Sequence, residues 1–345
     1  MKIANKIIKK GNTPFIIAEV SGNHNGDIER AIKIIKAAKQ AGADAVKLQT
    51  YTADTMTIDH DSPEFLVDLP LWKGRSLYDI YEEAHTPWEW HKKLFDTGKE
   101  QDIIVFSSPF DASAVDFLED LNTPLYKIAS FELVDIPLIQ KVASTGKPMI
   151  ISTGMGTLEE IERAVIAASD AGCPELALLH CVSSYPAPIN ETNLTNIPAL
   201  QNRFKSVVGI SDHTLGIKVA MVAVAMGALI IEKHFTLSRS EGGIDHAFSI
   251  EPGELKKMVR DVQDVTKMLN PPEFGPKESE KKSLAYRRSL YAVADISKGE
   301  SFTESNVRSI RPALGIEPRH IVKVLNHVAS RNISRGEPIS LDMLG

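Results

Sequence analysis

Short runs of apolar, β-favouring residues recur along the chain and alternate with longer stretches of helical spacing. Eight of these runs predict strands, at residues 15–20, 45–49, 103–107, 124–128, 148–152, 176–180, 206–210 and 228–231. Five stretches between them predict helices, at residues 28–41, 112–121, 137–144, 158–171 and 215–227. Eight strands alternating with helices over about 270 residues predict an α/β fold, the closed (β/α)8 TIM barrel. An open doubly wound sheet is the alternative, although no glycine-rich dinucleotide fingerprint follows the first strand.

Two segments interrupt this alternation. A long connection at residues 51–99 is expected to include a lid or a substrate-specificity loop, with aromatic residues that serve packing more than ligand stacking. A proline- and charge-rich segment then predicts a division into a barrel at 1–270, a linker at 271–288 and a small β-rich domain at 289–345. That domain contains two similar turns, at Ser297–Glu300 and Ser334–Glu337. Because it is near the lower size limit for an independent core, it is expected to dock on the barrel or on a partner subunit.

The composition is ordinary for a globular protein, with 43% hydrophobic and 24% charged residues and a net charge of −6. That charge disfavours nucleic acid and anionic membranes as partners, so an anionic small substrate requires a local basic pocket. The apolar runs fall short of the about 18 residues of a membrane span, and early lysines argue against a signal peptide. A cytoplasmic protein is expected. Cys173 and Cys181 predict neither a disulfide framework nor a metal motif.

Two histidines each follow a predicted strand, His213 within residues 210–214 and His234 within residues 232–236. The carboxyl ends of parallel strands are where α/β proteins place their chemistry. Two imidazoles side by side there would hold a divalent metal and leave positions open for a substrate. The alternative is that the two side chains cap or pack at the rim of the sheet without a shared role.

Further polar residues follow the other predicted strands and are expected to converge on the same mouth: Glu19, Lys47, Gln49, Ser108, Lys127, Ser130, Ser152, His180 and Ser211. Lys47 and Lys127, with nearby serine hydroxyls, predict a cradle for a phosphate and a carboxylate. Salt bridges across the barrel end are the alternative, and Lys47 could instead be the nucleophile of a Schiff-base aldolase. Glu19 is a candidate general base. Asp245, in the loop after the last strand, is expected to orient substrate or a metal-bound water, or to cap its loop.

Six motifs in order along the chain resemble the sialic acid synthase family, at residues 18–26, 46–50, 126–130, 151–155, 179–186 and 209–214. Residues 232–236 and a carboxyl-terminal module similar to antifreeze-like (SAF) domains extend the resemblance over nearly the whole chain. Two stretches of the long connection, residues 71–80 and 85–88, look most like the pseudaminic acid synthases within that family.

The resemblance implies condensation of phosphoenolpyruvate with an open-chain N-acetylated amino sugar to give a nine-carbon 2-keto acid and phosphate. In the pseudaminic acid branch the sugar is 2,4-diacetamido-2,4,6-trideoxy-L-altrose. The resemblance also implies that His213 and His234 ligate Mn²⁺, or else Mg²⁺ or Co²⁺. It implies that Glu19 is the base for an attacking water and that Asp245 faces the sugar or a metal-bound water. The residues implied to hold the substrates are Lys47, Gln49, Ser108, Lys127, Ser130, Ser152, Ser183, Tyr185 and Ser211.

In members of the family the small module caps the partner subunit's barrel in a domain-swapped dimer and contributes an arginine that precedes a proline. Arg311 occupies that place here, so a homodimer with swapped modules is implied. Two departures, Ser183 in place of asparagine and the residues at 72–76, weaken the expectation that N-acetylmannosamine is the sugar. Legionaminate and N-acetylneuraminate synthases remain the alternatives within the family.

Two hypotheses lie outside the family. A Schiff-base pyruvate aldolase would be metal-independent and would be trapped by borohydride at Lys47. A carbohydrate-binding or ice-binding protein built on the terminal module would release no phosphate. That second hypothesis leaves the polar cluster at the barrel mouth unexplained.

Overall fold

The computed structural model describes residues 1–68 and 72–345, and the chain divides into two compact units, Met1–Asn270 and Pro271–Gly345. A short antiparallel hairpin, β1 (Lys2–Ile3) and β2 (Lys6–Ile7), begins the first unit. Eight parallel strands follow: β3 (Phe15–Glu19), β4 (Ala45–Thr50), β5 (Ile104–Pro109), β6 (Tyr126–Ile128), β7 (Met149–Ser152), β8 (Leu176–Cys181), β9 (Val207–Ser211) and β10 (Ile230–His234). Because β10 pairs with β3, the ring closes, so the predicted barrel is confirmed and the open sheet is excluded.

Helices surround the strands and follow the predicted alternation. They are α1 (Ile28–Ala41), α2 (Ala53–Met56), α3 (Leu77–Ala84), α4 (Trp88–Glu100), α5 (Ala112–Asp120), α6 (Ile136–Ala143), α7 (Leu158–Asp170), α8 (Asn196–Phe204), α9 (Lys218–Ala225) and α10 (Pro252–Met268). The bounds of α1 match the prediction because both ends are encoded locally. The Asp27 carboxylate accepts from the Glu29 N–H, and Gly42 ends the helix with a φ of 96° that favours glycine. In residues 1–68 and 72–345, no helix is long and apolar enough to cross a membrane.

The connection after β4 is shorter than predicted. Its last part is α4, a barrel helix whose face buries Leu94 and Phe95 against the strands, so the inserted segment ends near residue 87 instead of 99. Within that segment, Ser76 caps the start of α3, and its hydroxyl accepts from the Asp79 N–H. Leu71, the first residue of one stretch that resembles pseudaminic acid synthases, lies outside the described residues.

The barrel interior is filled by side chains at alternate strand positions: Phe15, Ile17, Ala45, Phe106, Leu125, Ile150, Ala177, Leu179 and Ile230. Ile3 and Ile8, from the hairpin region, join this cluster with exposures of 0% and 4%. The Met1 amino group lies 3.4 Å from the Glu175 carboxylate, just before β8. The hairpin therefore closes the amino-terminal end of the barrel. Since side chains alternate along a strand, the inward positions nearest the carboxyl ends face the opposite, open mouth.

The second unit has its own small core. Its elements are β11 (Ser289–Ala292), antiparallel to β12 (Val307–Ile310), and α11 (Ile321–Leu325). The core side chains include Leu290, Ile296, Phe302, Val307, Val324, Ile333 and Ile339. The two turns predicted to be similar each contain the same kind of hydrogen bond from a serine N–H to a glutamate carboxylate. The Ser297 N–H donates to the Glu300 carboxylate at 2.8 Å, and the Ser334 N–H donates to the Glu337 carboxylate at 3.1 Å.

Candidate active site

Strand alternation gathers polar side chains at the mouth of the barrel. The inward residues at the carboxyl ends of the strands are Glu19, Lys47, Gln49, Ser108, Lys127, Ser152, Cys181, Ser211, Glu232 and His234. His180 does not belong to this set, and its predicted convergence is wrong. It lies between the inward positions of Leu179 and Cys181, and its Nε2 contacts the Thr192 carbonyl oxygen at 2.6 Å. Counting the alternation from Leu179 would have excluded it.

Glu19, Lys47 and Glu232 form a buried charge cluster. Lys47 Nζ lies 3.1 Å from Glu19 Oε2 and 3.3 Å from Glu232 Oε1, and the three side chains are at most 5% exposed. Burial lowers the pKa of Lys47, but the two carboxylates outweigh it, so the pKa is raised and the ammonium stays charged. One ammonium cannot compensate two carboxylates. Burial raises the pKa of Glu19 to about 7, against the opposing effect of Lys47. Glu19 is therefore a carboxyl group that exchanges a proton near neutral pH.

Neighbouring side chains orient the two carboxylates. Gln49 Nε2 donates to Glu19 Oε1 at 2.9 Å, and Ser211 Oγ donates to Glu232 Oε1 at 3.0 Å. Lys47 Nζ also lies 3.4 Å from Ser108 Oγ. The second oxygen of Glu232, Oε2, is buried and has no hydrogen-bond partner in the described part of the chain. It is available to a bound molecule, because a buried acceptor without a donor is costly.

A second group of donors lies beside this cluster. Lys127 Nζ donates to Ser152 Oγ at 2.6 Å, and burial lowers the pKa of Lys127 to about 8. The Gly154 N–H donates to Ser130 Oγ at 3.1 Å. A Cβ at Gly154 would overlap Ser183 Oγ and lie 2.7 Å from Ser130 Oγ, so two hydroxyls converge on a position that a side chain would fill. An ammonium, an amide and clustered hydroxyls form a cradle suited to an anion.

The two predicted histidines meet at this mouth, with ring centroids 5.2 Å apart. His213 Nδ1 lies 3.0 Å from the Val182 carbonyl oxygen; when Nδ1–H donates to it, Nε2 of the neutral ring carries the lone pair. Burial, followed by the nearby His213, keeps the pKa of His234 well below its usual value, so this ring is neutral. Within the described ranges the buried His234 Nδ1 has no hydrogen-bond partner, and Asp245 Oδ2 is 3.7 Å away. Burial lowers the pKa of His213, but Cys181 and the Val182 carbonyl outweigh it, so the pKa is raised. Two imidazoles that each present an unprotonated ring nitrogen fit a divalent metal, and His213 would give up its extra proton on binding one.

In the residues that the structure describes, no group of three or more His, Cys, Asp or Glu side chains is gathered to hold an ion, so the protein's own ligands here would be the two histidines. Asp245 is buried beside the pair, and burial raises its pKa, although a hydrogen bond from Ser21 opposes this. Ser249 Oγ donates to the Asp245 carbonyl at 2.7 Å, and Asn23 Nδ2 donates to Ser249 Oγ at 2.8 Å. These bonds fix the loop that brings Asp245 to the histidines.

Aromatic side chains form one wall of the mouth. Tyr185 packs on His213 and His234, with ring centroids 4.5 Å and 6.4 Å apart. Phe248 lies 5.3 Å from Tyr185, and Trp72 from the long connection lies 6.1 Å from it. The aromatic residues of this connection were expected to serve packing, and Trp72 packs on Tyr185, which contacts both histidines.

Other residues of the mouth escaped the sequence analysis. Glu132 follows Ser130 in a short 3-10 helix, and burial raises its pKa to about 7, although a backbone hydrogen bond and Lys127 oppose this. Its Oε2 is buried without a hydrogen-bond partner among residues 1–68 and 72–345. Gly154 was also missed. Glu132 and Gly154 each follow a predicted strand by a few residues. That position was the signal in the sequence that could have placed them at the mouth.

Arg311 belongs to the second unit, where it is exposed and precedes Pro312 across a cis peptide bond. The place of Arg311 at a barrel mouth stays a prediction.

Comparisons with known proteins agree with the fold and the motifs. The profile of the NeuB family matches residues 34–273, and that of the SAF domain matches residues 287–345. The chain is 43% identical to the pseudaminic acid synthase of Campylobacter jejuni, over 94% of this chain and 95% of that protein. It is 39% identical to the N,N'-diacetyllegionaminic acid synthase of the same organism, over 94% of this chain and 98% of that protein.

Among solved structures, the N-acetylneuraminic acid synthetase of Leptospira borgpetersenii matches with a TM-score of 0.73 and 32% identity, over 82% of this chain and 94% of that chain. The barrel, the SAF domain and these similarities agree with the resemblance that the motifs indicated. The chain therefore belongs to the NeuB family and is an enzyme of the sialic acid synthase type.

Proposed function

We propose that the chain is a pseudaminic acid synthase, which condenses phosphoenolpyruvate, 2,4-diacetamido-2,4,6-trideoxy-L-altrose and water to pseudaminic acid and phosphate. The observation that carries the proposal is one mouth in which an anion cradle, a buried acid–base cluster and a histidine pair adjoin. The choice of sugar is supported by the higher identity to pseudaminic than to legionaminic acid synthase.

The cradle would bind the phosphate and carboxylate of phosphoenolpyruvate. Lys47 and Lys127 are both buried, and together they offset part of the negative charge of this trianion-like substrate. The Ser152 and Ser130 hydroxyls would supply hydrogen bonds, with Ser152 Oγ oriented by Lys127 and Ser130 Oγ by the Gly154 amide. Since all these donors lie on strand ends and short turns of a closed barrel, they are preorganised for the charge that develops during the reaction.

His213 and His234 would hold the divalent metal, for which Mn²⁺ is the candidate and Mg²⁺ or Co²⁺ the alternatives. The metal would supply Lewis acidity toward the sugar aldehyde. The protein contributes the neutral His234 ring and a His213 ring that is oriented by the Val182 carbonyl. Asp245, 3.7 Å from the His234 ring, would orient the sugar or a water molecule.

The reaction forms one C–C bond and replaces the C2–O bond to phosphate by a C2–O bond from water. The two protons of that water balance the new C4 hydroxyl group and the released hydrogen phosphate. The enol carbon C3 of phosphoenolpyruvate attacks the aldehyde carbon, and the aldehyde oxygen becomes a hydroxyl. Water then adds at C2, and Glu19 accepts its proton, for which a pKa of about 7 is well matched. The C2–O bond to phosphate breaks last and leaves a 2-keto acid. Lys47 and Gln49 hold the Glu19 carboxylate during the transfer.

The geometry disfavours the Schiff-base aldolase. A Schiff-base lysine must lose its proton, but Lys47 lies between two carboxylates that raise its pKa. Within the family, legionaminate synthesis is the second candidate because of the similarity to N,N'-diacetyllegionaminic acid synthase.

The SAF unit is proposed to act in a homodimer, in which it caps the partner's mouth and brings Arg311 to the substrate. The exposure of Arg311 within its unit and the small core of that unit support this role. A guanidinium there would add a bidentate contact to a carboxylate or phosphate.

Phosphate release from phosphoenolpyruvate tests the function. The purified protein is incubated with Mn²⁺ and, separately, the diacetamido trideoxy altrose, N-acetylmannosamine or the diacetamido trideoxy mannose-type sugar. Release with the altrose sugar alone, abolished by chelator and restored by metal, is expected. Release with another sugar instead would overturn the substrate and keep the chemistry. Release with none of them, in protein that binds metal, would overturn the condensation.

A further inference from the structure

Trp72 ends a row of rings that starts at the histidine pair. Tyr185 packs on His213 at 4.5 Å, and Trp72 packs on Tyr185 at 6.1 Å with an interplanar angle of 57°. Tyr185 and Trp72 are both half-buried, so each residue keeps part of its surface accessible. The row therefore leads from the reacting end of the mouth outward to an aromatic surface.

The polar group of the Trp72 ring is already used. Its Nε1–H donates to the Ile244 carbonyl at 3.3 Å, next to Asp245 in the loop after β10. An indole has this single donor and no acceptor of comparable strength. The hydrogen bond ties the long connection to the loop that carries Asp245, and it leaves only carbon on the accessible part of the ring.

We propose that Trp72 determines sugar specificity by packing against the deoxy C6 end of the open-chain hexose. This rests on the proposed function, since the aldehyde carbon is placed at the histidine pair. An extended six-carbon chain spans about 6 Å, which exceeds the 4.5 Å step from His213 to Tyr185. With the aldehyde carbon beside the histidine pair, the far end of the sugar therefore extends past Tyr185 toward Trp72. A C6 methyl group gains apolar burial there. A C6 hydroxyl group would lose its water without a replacement hydrogen bond from the ring.

The inference is tested with two sugars that differ at C6 only, 2,4-diacetamido-2,4,6-trideoxyaltrose and its 6-hydroxy counterpart. The full-length, Mn²⁺-loaded protein is compared with Trp72→Ala, Trp72→Phe and the control Phe65→Ala. Phe65 lies in the same connection, with its ring 5.5 Å from His60. For each protein, two ratios compare the 6-deoxy sugar with the 6-hydroxy sugar. One is the ratio of their kcat/KM values in phosphate release, and the other is the ratio of their Kd values by calorimetry.

The wild-type protein is expected to prefer the 6-deoxy sugar by about 10- to 100-fold, the range for one group in an apolar pocket. Trp72→Ala should bring both ratios to within about threefold of unity. The change should come from a higher KM for the 6-deoxy sugar, and KM for phosphoenolpyruvate should stay unchanged. Trp72→Phe should keep most of the preference, which guards against loss of fold as the cause. Phe65→Ala should behave as wild type.

Unchanged ratios in Trp72→Ala would overturn the inference, and so would an equal loss for both sugars. Binding of both sugars to wild type without phosphate release would refute the proposed function alone, because the Kd ratios would still decide the role of Trp72. Absence of binding by either sugar would refute both.

Discussion

Lys233 and Asp212 form an ion pair in which neither side chain is exposed, with Nζ 2.9 Å from Oδ2. Lys233 Nζ also donates to the Asp212 carbonyl at 3.2 Å and the Thr214 carbonyl at 2.6 Å. Lys233 precedes His234 on β10, and Asp212 precedes His213 after β9. The pair therefore ties together the two chain segments that carry the histidines.

Lys233→Met is expected to lower the free energy of unfolding by about 3–5 kcal/mol, because it leaves the Asp212 carboxylate buried without its partner. The double variant Lys233→Met with Asp212→Asn removes both charges and should recover at least half of that loss. Urea denaturation of the three proteins measures both effects. A double variant as unstable as the single one would show that the ammonium acts through its carbonyl contacts instead.

Glu19→Gln is expected to lower kcat by about 10²–10⁴-fold, the usual contribution of a general base, with little change in KM for phosphoenolpyruvate. The pKa of Glu19 is raised to about 7, so the carboxyl group is protonated below that pH and a base above it. The wild-type kcat should rise as pH increases through 7. The variant should lose this rise in kcat. If the variant keeps it, the pH dependence belongs to another titrating group.

Gly154→Ala is expected to raise KM for phosphoenolpyruvate by about 10- to 100-fold, since small displacements of positioning groups have effects of this size. The added methyl group would collide with Ser183 Oγ and crowd Ser130 Oγ. Gly253→Ala is the matched control, because a Cβ there meets nothing within 4 Å in the described structure. Steady-state kinetics should give a higher KM for phosphoenolpyruvate in Gly154→Ala than in Gly253→Ala. Equal KM values would show that Gly154 does not belong to the cradle.

His91 predicts a loss of stability in acid. Burial lowers its pKa from 6.5 to about 4, and its Nε2 lies 2.8 Å from Thr50 Oγ1. The unfolded chain binds this proton below pH 6.5, whereas the folded protein does not until about pH 4. Stability is therefore complete above pH 6.5 and falls between 6.5 and 4, by about 2 kcal/mol at pH 5 from this group.

Urea unfolding of wild type and His91→Asn at pH 7 and pH 5 checks this expectation. The variant should be less stable at pH 7 but should lose less stability between the two pH values. An equal loss in both proteins would assign the acid sensitivity elsewhere. His24, whose pKa burial also lowers to about 4, is the next group to replace in that case.

The barrel was predictable because its signals are local and repeated. β3 and α1 fall within one residue of their predicted bounds, since apolar alternation, the Asp27 cap and Gly42 are all visible in the sequence. α4 was assigned to the insertion because its aromatic and charged residues resemble those of a loop. The burial of Leu94 against the barrel is visible only in the structure. Pattern alone did not show how the helix would pack.

The site was predictable where the strand period determines it. Glu19, Lys47 and His234 face inward at the carboxyl ends of strands, as expected from alternate positions. The three-dimensional relationships were not predictable, because Glu132 and Gly154 reach the mouth through turns whose geometry the sequence does not encode simply. The prediction for His180 was wrong although the sequence contained the signal. His180 falls between two inward positions of β8, and its side chain contacts the Thr192 carbonyl instead of the mouth.

The hairpin residues Ile3 and Ile8, packed into the barrel floor, have a consequence for the order of events. Entry and exit through the barrel share the mouth opposite that floor. Lys127 is buried, whereas Tyr185 and Trp72 are half-buried. In the proposed binding mode the anion would therefore occupy the deeper position and the sugar would lie above it. A sugar that arrived first would block the path of the anion. Turnover should accordingly follow a last-in, first-out sequence, with phosphoenolpyruvate entering before the sugar and phosphate leaving after the nine-carbon product.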